Sequence, residues 1–195
     1  LFQGYGVEIE YMVVDAESRE IRSIVDTLLD DLERSPDAST RTEGNPSGRV
    51  EWSNELAAHV AEAKCAEPEP SLEGWLAPLN ASVDHVNTLL APRRACLMPS
   101  AAHPWMNPAK DPMLWPHEYH EIYAEYDRIF GCCTHGWTNL QSVHLNLPFS
   151  GEEEFGRLHA AIRLVLPLIP ALAAASPYLD GRWTGLLDAR MQHYR

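Results

Sequence analysis

The sequence predicts an α+β domain in which helices cover one face of a sheet, and three observations favour it. The side chains of residues 5–14 alternate between two faces with the period of two that is typical of a strand. Helical apolar patterns at residues 71–90 and 118–130 separate this strand from later strand patterns. No GxGxxG or GKS/T loop follows any strand pattern. Strands separated by long helices also leave a parallel βαβ sheet open as an alternative.

The first strand pattern carries two carboxylates on one face. Side chains alternate along a strand, so its two faces differ in polarity. One face is apolar and carries Val7, Ile9, Tyr11 and Val13. The other face is mixed and carries Glu8, Glu10, Met12 and Val14. Glu8 and Glu10 are then about 7 Å apart along the strand.

The central part of the chain predicts two helices and a second strand region. Residues 24–32 fit a short helix, and residues 35–48 form a polar loop rich in Pro, Gly and Ser. Residues 49–64, RVEWSNELAAHVAEAK, form the second strand region. Ser71 is suited to N-cap a helix that ends near residue 90. Its predicted inward side chains are Trp75, Leu79, Val83, Val86 and Leu90.

A short strand, an irregular loop and a helix come next. Residues 97–100 predict the strand, and the four prolines of residues 103–117 predict the loop. Residues 118–130 predict an amphipathic helix. The side chains expected to face inward are Ile122, Tyr126, Ile129 and Phe130.

The last third of the chain predicts a long strand and an interrupted helix. The sequence predicts the strand at residues 137–149. The helix covers residues 151–175 and is broken by Pro167 and Pro170. Residues 176–190 predict a loop followed by an unfinished element.

The net charge and the composition limit the classes of partner that are expected for this chain. The formal net charge is −13, which argues against nucleic acid or an anionic membrane as a main partner. The longest apolar run, residues 164–175, is shorter than the roughly 20 residues that a membrane span needs. The chain has no CxxC pair, so free thiols in a reducing cytoplasm are expected. The four cysteines are Cys65, Cys96, Cys132 and Cys133.

Glu8 and Glu10 are the first candidates for chemistry. Two carboxylates close together in a dry site raise each other's pKa unless a cation lies between them. Hard cations such as Mg²⁺ prefer carboxylate oxygens. The alternative is a strand with one solvated face, where glutamate is common.

Two further segments place polar side chains on strand faces. Asn54 and Glu55 come just before Glu62 in the second strand region, and an exposed edge strand is the alternative there. In QSVHLNLPF, residues 141–149, three polar side chains share one face. These are Ser142, His144 and Asn146, and a His and an Asn so placed can contact a metal or a phosphate. A hydrogen-bonded core histidine is the alternative.

Other catalytic patterns receive little support. Residues 117–121, HEYHE, lack HExxH spacing and fit a solvated helix face. The chain contains no GxSxG motif, and the adjacent Cys132 and Cys133 have no evident base beside them. Nucleophilic hydrolase chemistry is therefore disfavoured.

Five segments occur in a definite order along the chain. They are GVEIEYMVVD, VEWSNELAAHVAEAK, HPW, YDRIFGCCTHGWTNLQSVHLNLPF and SPYLDGRWTGLLDAR. Together they resemble the glutamate–cysteine ligase type 2 family, whose members are also called carboxylate–amine ligases. The resemblance implies a mostly antiparallel, curved sheet with helices packed outside, similar to glutamine synthetase and guanidino kinases.

The resemblance also implies an ATP-dependent ligase. In that family the γ-carboxylate of glutamate attacks ATP to form an acyl phosphate, and an amine such as cysteine displaces the phosphate. Mg²⁺ ions bridge the ATP phosphates and the reacting carboxylate. Glu8 and Glu10 match the first pair of metal ligands, and Glu55 and Glu62 match acidic positions of the second strand region that are also metal or substrate ligands.

Three more residues are implied by the same resemblance. His144 matches a histidine near metal and phosphate, so it is expected to contact both the metal and the nucleotide. Asn146 stands where some relatives have a second histidine, and a cofactor contact is expected. Arg190 falls where relatives place an arginine near substrate or phosphate, and a catalytic role is expected.

Chains of that family are much longer than this one. The resemblance implies that residues 1–195 are one domain of catalytic type, the N-terminal half of a longer domain. An unfinished sheet edge would favour a homodimer or pairing with a C-terminal half. A noncatalytic pseudoenzyme, an amino-acid-binding subunit of a complex and a metal-dependent amidohydrolase are the alternatives.

Overall fold

An antiparallel sheet forms the centre of the computed structural model, which describes residues 3–35 and 37–193. The strands run in the order β2-β3-β1-β4, and a fifth strand, β5, also pairs with β1. Their bounds are β1 Gly6–Asp15, β2 Val50–Asn54, β3 Val60–Cys65, β4 Ala95–Met98 and β5 Val143–Asn146. Every pairing among these strands is antiparallel. The α+β prediction is confirmed and the parallel alternative is wrong; the likeness to glutamine synthetase and guanidino kinases stays a prediction.

The helices and a small hairpin complete the fold. The helices are α1 Val25–Arg34, α2 Leu72–Leu90, α3 His120–Phe130, α4 Gly151–Val165, α5 Ile169–Leu172 and α6 Arg190–His193. Strands β6 Tyr178–Leu179 and β7 Arg182–Trp183 pair where a loop was predicted. No described helix is both long enough and apolar enough to cross a bilayer.

The main core lies between the sheet and the first two helices. The apolar face of β1 contributes Tyr11 and Val13, as its period predicted. Leu28 of α1 and Trp75 and Val86 of α2 are almost fully buried against it. Burying such side chains stabilises a fold by about 1.5–3 kcal/mol each, so this core fixes the position of the sheet.

The opposite face of the sheet is polar at one end and apolar at the other. Met12 and Val14 of β1 pack there with Val60 of β3 in a smaller cluster. The polar end carries three carboxylates and a histidine, which we call the acidic face: Glu8, Glu10, Glu62 and His144; Lys64 lies opposite Glu8 on the same side of the sheet. Glu62 is buried there, whereas Glu8 and Glu10 are partly exposed and His144 is exposed, so a ligand can reach part of this end.

The predicted long strand at residues 137–149 is wrong in its first half. Residues 135–139 form turns, in which the backbone N–H groups of Trp137 and Thr138 donate to the carbonyl of Thr134. The side chain of Asn139 is buried and accepts a hydrogen bond from the backbone of His103. Local hydrogen bonds to side chains and turns compete with strand pairing, so only Val143–Asn146 joins the sheet.

The prediction that α3 buries an apolar stripe is also wrong. Ile122, Tyr126, Ile129 and Phe130 are all exposed, and α3 has no buried residue. Phe130 stacks on Trp137 instead of packing against the sheet. The amphipathic period predicted the helix correctly, but it could not predict whether the apolar side of the helix is buried.

Two smaller predictions have mixed outcomes. Ser71 precedes α2 as predicted, but its side chain makes no capping hydrogen bond. All four cysteines are free thiols, as predicted.

Candidate active site

Sheet register brings the acidic face together. Glu10 of β1 lies directly opposite Glu62 of β3, and Glu8 lies opposite His144 of β5. Two like charges placed directly opposite across strands destabilise a sheet. This arrangement is unfavourable unless the carboxylates are protonated or a cation lies between them.

Glu55 joins the cluster from the turn between β2 and β3. It follows the end of β2 directly, so its carboxylate reaches the same end of the sheet as Glu62. Two sets of three side chains place their possible ligand atoms within 4.8 Å of one another. One set is Glu10, Glu55 and Glu62, and the other is Glu8, Glu62 and His144. Glu62 belongs to both sets.

A chain of hydrogen bonds orients these side chains. The backbone N–H and the hydroxyl of Ser142 each donate to the Glu10 carboxylate, both at 3.0 Å. The Ser142 hydroxyl is 2.9 Å from Nε2 of His144, whose Nδ1 is 2.8 Å from Glu8. Asn146 completes the chain by donating to the other Glu8 oxygen at 2.8 Å. Hydrogen bonds from β5 therefore orient the carboxylates of Glu8 and Glu10.

Burial disfavours the charged form of three carboxylates. It is the main reason why the pKa of Glu55 rises to about 7, and the charges of Glu62 and Glu10 add to it. Burial likewise raises the pKa of Glu62, with Glu8 and Glu10 contributing. Burial also raises the pKa of Glu10, although the hydrogen bonds from Ser142 oppose the shift. A bound cation would relieve this repulsion.

Glu8 and His144 behave as an ion pair. The hydrogen bond from His144 is the main cause that lowers the pKa of Glu8. Burial opposes the charge of the imidazole, but the hydrogen bond to Glu8 and the charges of Glu10 and Glu8 outweigh it and raise the pKa of His144. A metal that binds His144 therefore competes with a proton for the imidazole.

A cavity of about 580 Å³ opens beside the cluster. Glu10, Glu55 and His144 line its acidic side. Three aromatic side chains line the opposite side: Tyr123, Tyr126 and Trp137. The cavity is large enough for a small organic substrate next to the carboxylates.

Two other residues predicted for the site, Asn146 and Arg190, make hydrogen bonds to other residues of this chain. Asn146 is exposed and its amide is engaged with Glu8. The Arg190 guanidinium binds Asp188 at 2.7 and 2.9 Å, and it also donates to the carbonyls of Gln141 and Ala173. All of its described hydrogen bonds go to the protein, so the expected substrate contact of Arg190 stays a prediction.

Sequence reasoning missed the aromatic wall and the role of Ser142. Tyr126 was predicted to lie in the core, and the turn that positions Trp137 lay inside a predicted strand. Ser142 shares a strand face with His144, which was visible, but its hydrogen bonds to Glu10 depend on the β1–β5 pairing. Only long-range pairing could have revealed them.

The comparison with protein families is decisive for classification. The model of the glutamate–cysteine ligase family 2 matches residues 5–195. The chain belongs to this family. Glu8, Glu10, Glu55, Glu62 and His144 all lie within the matched segment.

Two relatives show how much of such a protein this chain spans. An uncharacterized protein from Archaeoglobus fulgidus is 38% identical over 148 residues, which are 76% of this chain and 40% of the relative. A Rubrobacter xylanophilus protein named "Putative glutamate--cysteine ligase 2-3" is 25% identical over 193 residues, 95% of this chain and 46% of the relative. The chain thus spans less than half the length of either relative.

Proposed function

We propose that this chain carries the metal-binding and part of the substrate-binding site of an ATP- and Mg²⁺-dependent ligase. The reaction would join the γ-carboxylate of glutamate to an amine such as cysteine through an acyl phosphate. Membership of the glutamate–cysteine ligase family 2 supports the class of reaction. The two overlapping ligand sets that share Glu62 are the structural observation that carries the proposal.

The residues present fit a hard divalent cation. The set of Glu10, Glu55 and Glu62 offers only oxygen ligands, which Mg²⁺ prefers. The set that contains His144 offers one nitrogen and suits Mg²⁺ less well than softer ions. When bound, Mg²⁺ would neutralise the charge of the phosphates during transfer.

The chain's own residues would orient the reactants. Ser142 fixes the Glu10 carboxylate with two hydrogen bonds, so this ligand needs no reorganisation when a cation enters. His144 and Asn146 fix both oxygens of Glu8. The aromatic wall of the cavity would limit access of water to the reacting groups.

Two measurements test the proposal, on the chain alone and within the longest natural polypeptide that contains it. First, Mg·ATP should raise the melting temperature by mass action, and Glu10→Gln should abolish the rise. Glu153→Gln is the matched control, because Glu153 is exposed on α4 and lies outside the cluster. Second, phosphate release should require ATP, Mg²⁺, glutamate and one amine from a panel.

The outcomes separate the alternatives. Amine-dependent phosphate release establishes the ligase and names the acceptor. Binding of glutamate or ATP without phosphate release in the longest polypeptide would instead favour a noncatalytic amino-acid-binding protein. No thermal shift at millimolar Mg·ATP would contradict the proposal.

A further inference from the structure

The cavity of about 580 Å³ has a second histidine in its wall besides His144. His193, at the end of α6, lines this cavity together with Glu10 and Glu55. The residue is exposed, so a ligand in the cavity can reach its ring. His193 belongs to neither set of possible metal ligands, so the cation proposed above does not explain its position.

Two contacts bring the end of α6 to the cavity. Gly136 packs so closely against His193 that a Cβ at Gly136 would lie 2.7 Å from the carbonyl oxygen of His193. Only a residue without a side chain permits this approach. The ring centroids of His135 and His193 are 5.1 Å apart, with the rings tilted by 55°. The turn at residues 135–139 therefore positions His193 as well as Trp137.

His193 differs from the neighbouring histidines in its hydrogen bonds. Nε2 of His135 is 3.2 Å from the Asp180 carboxylate, and its Nδ1 is 2.9 Å from the side-chain nitrogen of Asn139. Both ring nitrogens of His144 are hydrogen-bonded as well. In the part of the chain that the structure describes, no hydrogen bond reaches the ring of His193. Its nitrogens are therefore available to a ligand.

The surroundings of His193 favour the neutral imidazole. Burial of part of the ring and the neighbouring His135 lower the pKa of His193 below its ordinary value of 6.5, and Asp180 opposes this shift only in part. A neutral imidazole has one ring nitrogen that can accept a proton. His193 can therefore act as a base near pH 7.

We propose that His193 accepts the proton of the attacking amine. The inference rests on the ligase function proposed above, in which an amine reacts with the γ-glutamyl phosphate. The amine nitrogen forms a C–N bond to the carbonyl carbon, and the C–O bond to the phosphate breaks with its electron pair leaving on the phosphate. The proton that the amide nitrogen loses passes to a ring nitrogen of His193. A carboxylate that binds a cation is a weaker base, so the acidic face is less suited to this role.

Two acceptors separate this role from a structural one. Hydroxylamine is a weak base, is largely neutral near pH 7 and attacks acyl phosphates readily, so it needs little help from a base. The comparison acceptor is the most active amine of the panel, starting with cysteine. In the longest natural polypeptide, His193→Gln should lower kcat with this amine by about 10²–10⁴-fold at little change in KM. The rate of phosphate release with hydroxylamine should fall far less.

The control for the lost imidazole is His159→Gln. His159 is exposed on α4 and lies outside the cavity, so this variant should match the wild type with both acceptors.

A second variant tests the placement of His193 without removing its ring. In Gly136→Ala the new Cβ displaces the end of α6, so phosphate release should again fall more with the panel amine than with hydroxylamine. Gly156→Ala is the matched control, because the structure leaves open space for a Cβ at Gly156.

The outcomes distinguish this inference from the ligase proposal. Equal losses with both acceptors in His193→Gln would show a structural role, and an unchanged rate with the panel amine would show no role. Either result overturns the inference while the ligase proposal stands, since the wild type still releases phosphate. If the wild type releases phosphate with neither acceptor, the ligase proposal fails and this inference fails with it.

Discussion

His144 lies directly opposite Glu8 in the β1–β5 pair, and its Nδ1 is 2.8 Å from a Glu8 oxygen. Through Ser142 the same imidazole is linked to Glu10, two residues further along β1. One histidine therefore couples both carboxylates of the first strand. The shared hydrogen bonds explain how β5, although only four residues long, is held in register beside β1.

The first prediction concerns the protonation of His144. Its pKa in the metal-free chain should lie above the ordinary value of 6.5, and Glu8→Gln should lower it. Because the folded pKa is raised, the pair stabilises the fold below pH 6.5, and this contribution is lost as the pH rises through the folded pKa. NMR titration of the imidazole C–H signals measures both variants. Glu153→Gln, an exposed position on α4, should leave the titration unchanged, and an unshifted pKa in Glu8→Gln would refute the coupling.

The second prediction concerns Glu55 in the absence of metal. Its pKa is about 7 in the fold, against 4.5 ordinarily, so the folded chain binds this proton more tightly than the unfolded chain. The free energy of unfolding should therefore fall as the pH rises from 4.5 through 7, by at most about 3 kcal/mol. Glu55→Gln should remove much of this fall and should be more stable than the wild type at pH 8. Urea unfolding in EDTA at several pH values provides the measurement.

Addition of a divalent cation supplies the control for Glu55. At pH 8, Mg²⁺ or Mn²⁺ should restore stability to the wild type by mass action and should stabilise Glu55→Gln much less. Binding at pH 6.5 should release protons, because the ion displaces them from the cluster. A wild-type stability that is flat between pH 5 and 8 without metal would contradict this account.

The third prediction distinguishes a structural role of Arg190 from a catalytic role. Asp188 and Arg190 have side chains only 8% and 16% exposed, so removing one partner leaves a buried charge unpaired. Arg190→Ala should lower the free energy of unfolding by about 3–5 kcal/mol. Arg190→Ala combined with Asp188→Asn should cost less than the single change. Urea denaturation measures both, with the exposed Arg163→Ala as the control. A stable Arg190→Ala that loses only activity would favour the catalytic role instead.

Local patterns predicted much of this fold and of the carboxylate cluster. The period of β1 placed Glu8 and Glu10 on one face because strand alternation is a local property. The resemblance to a known family added Glu55, Glu62 and His144 to the same site. The turn at residues 135–139 and the exposed stripe of α3 were not predicted, because they depend on which distant segments meet. The same is true of His193, whose place in the cavity wall is visible only in three dimensions.

The last prediction concerns the uncovered apolar surface near β5. All four residues of this strand are exposed, and among the described residues its backbone pairs only with β1. Val143 and Leu145 are 67% and 52% exposed on the side of the sheet that faces the main core. An open edge with apolar side chains favours pairing with another strand. We therefore propose that this edge of the isolated chain pairs with a second copy of the chain in solution.

Sedimentation of the isolated chain tests this surface. Self-association should increase with protein concentration, and Leu145→Lys should reduce it because a charged side chain on an edge strand opposes pairing. Leu72→Lys is the matched control, since Leu72 is 41% exposed at the start of α2, away from β5. Within the longest natural polypeptide, association through this edge should vanish if further chain covers it. A chain that stays monomeric alone at all concentrations, or equal effects of the two substitutions, would show that β5 is not a pairing edge.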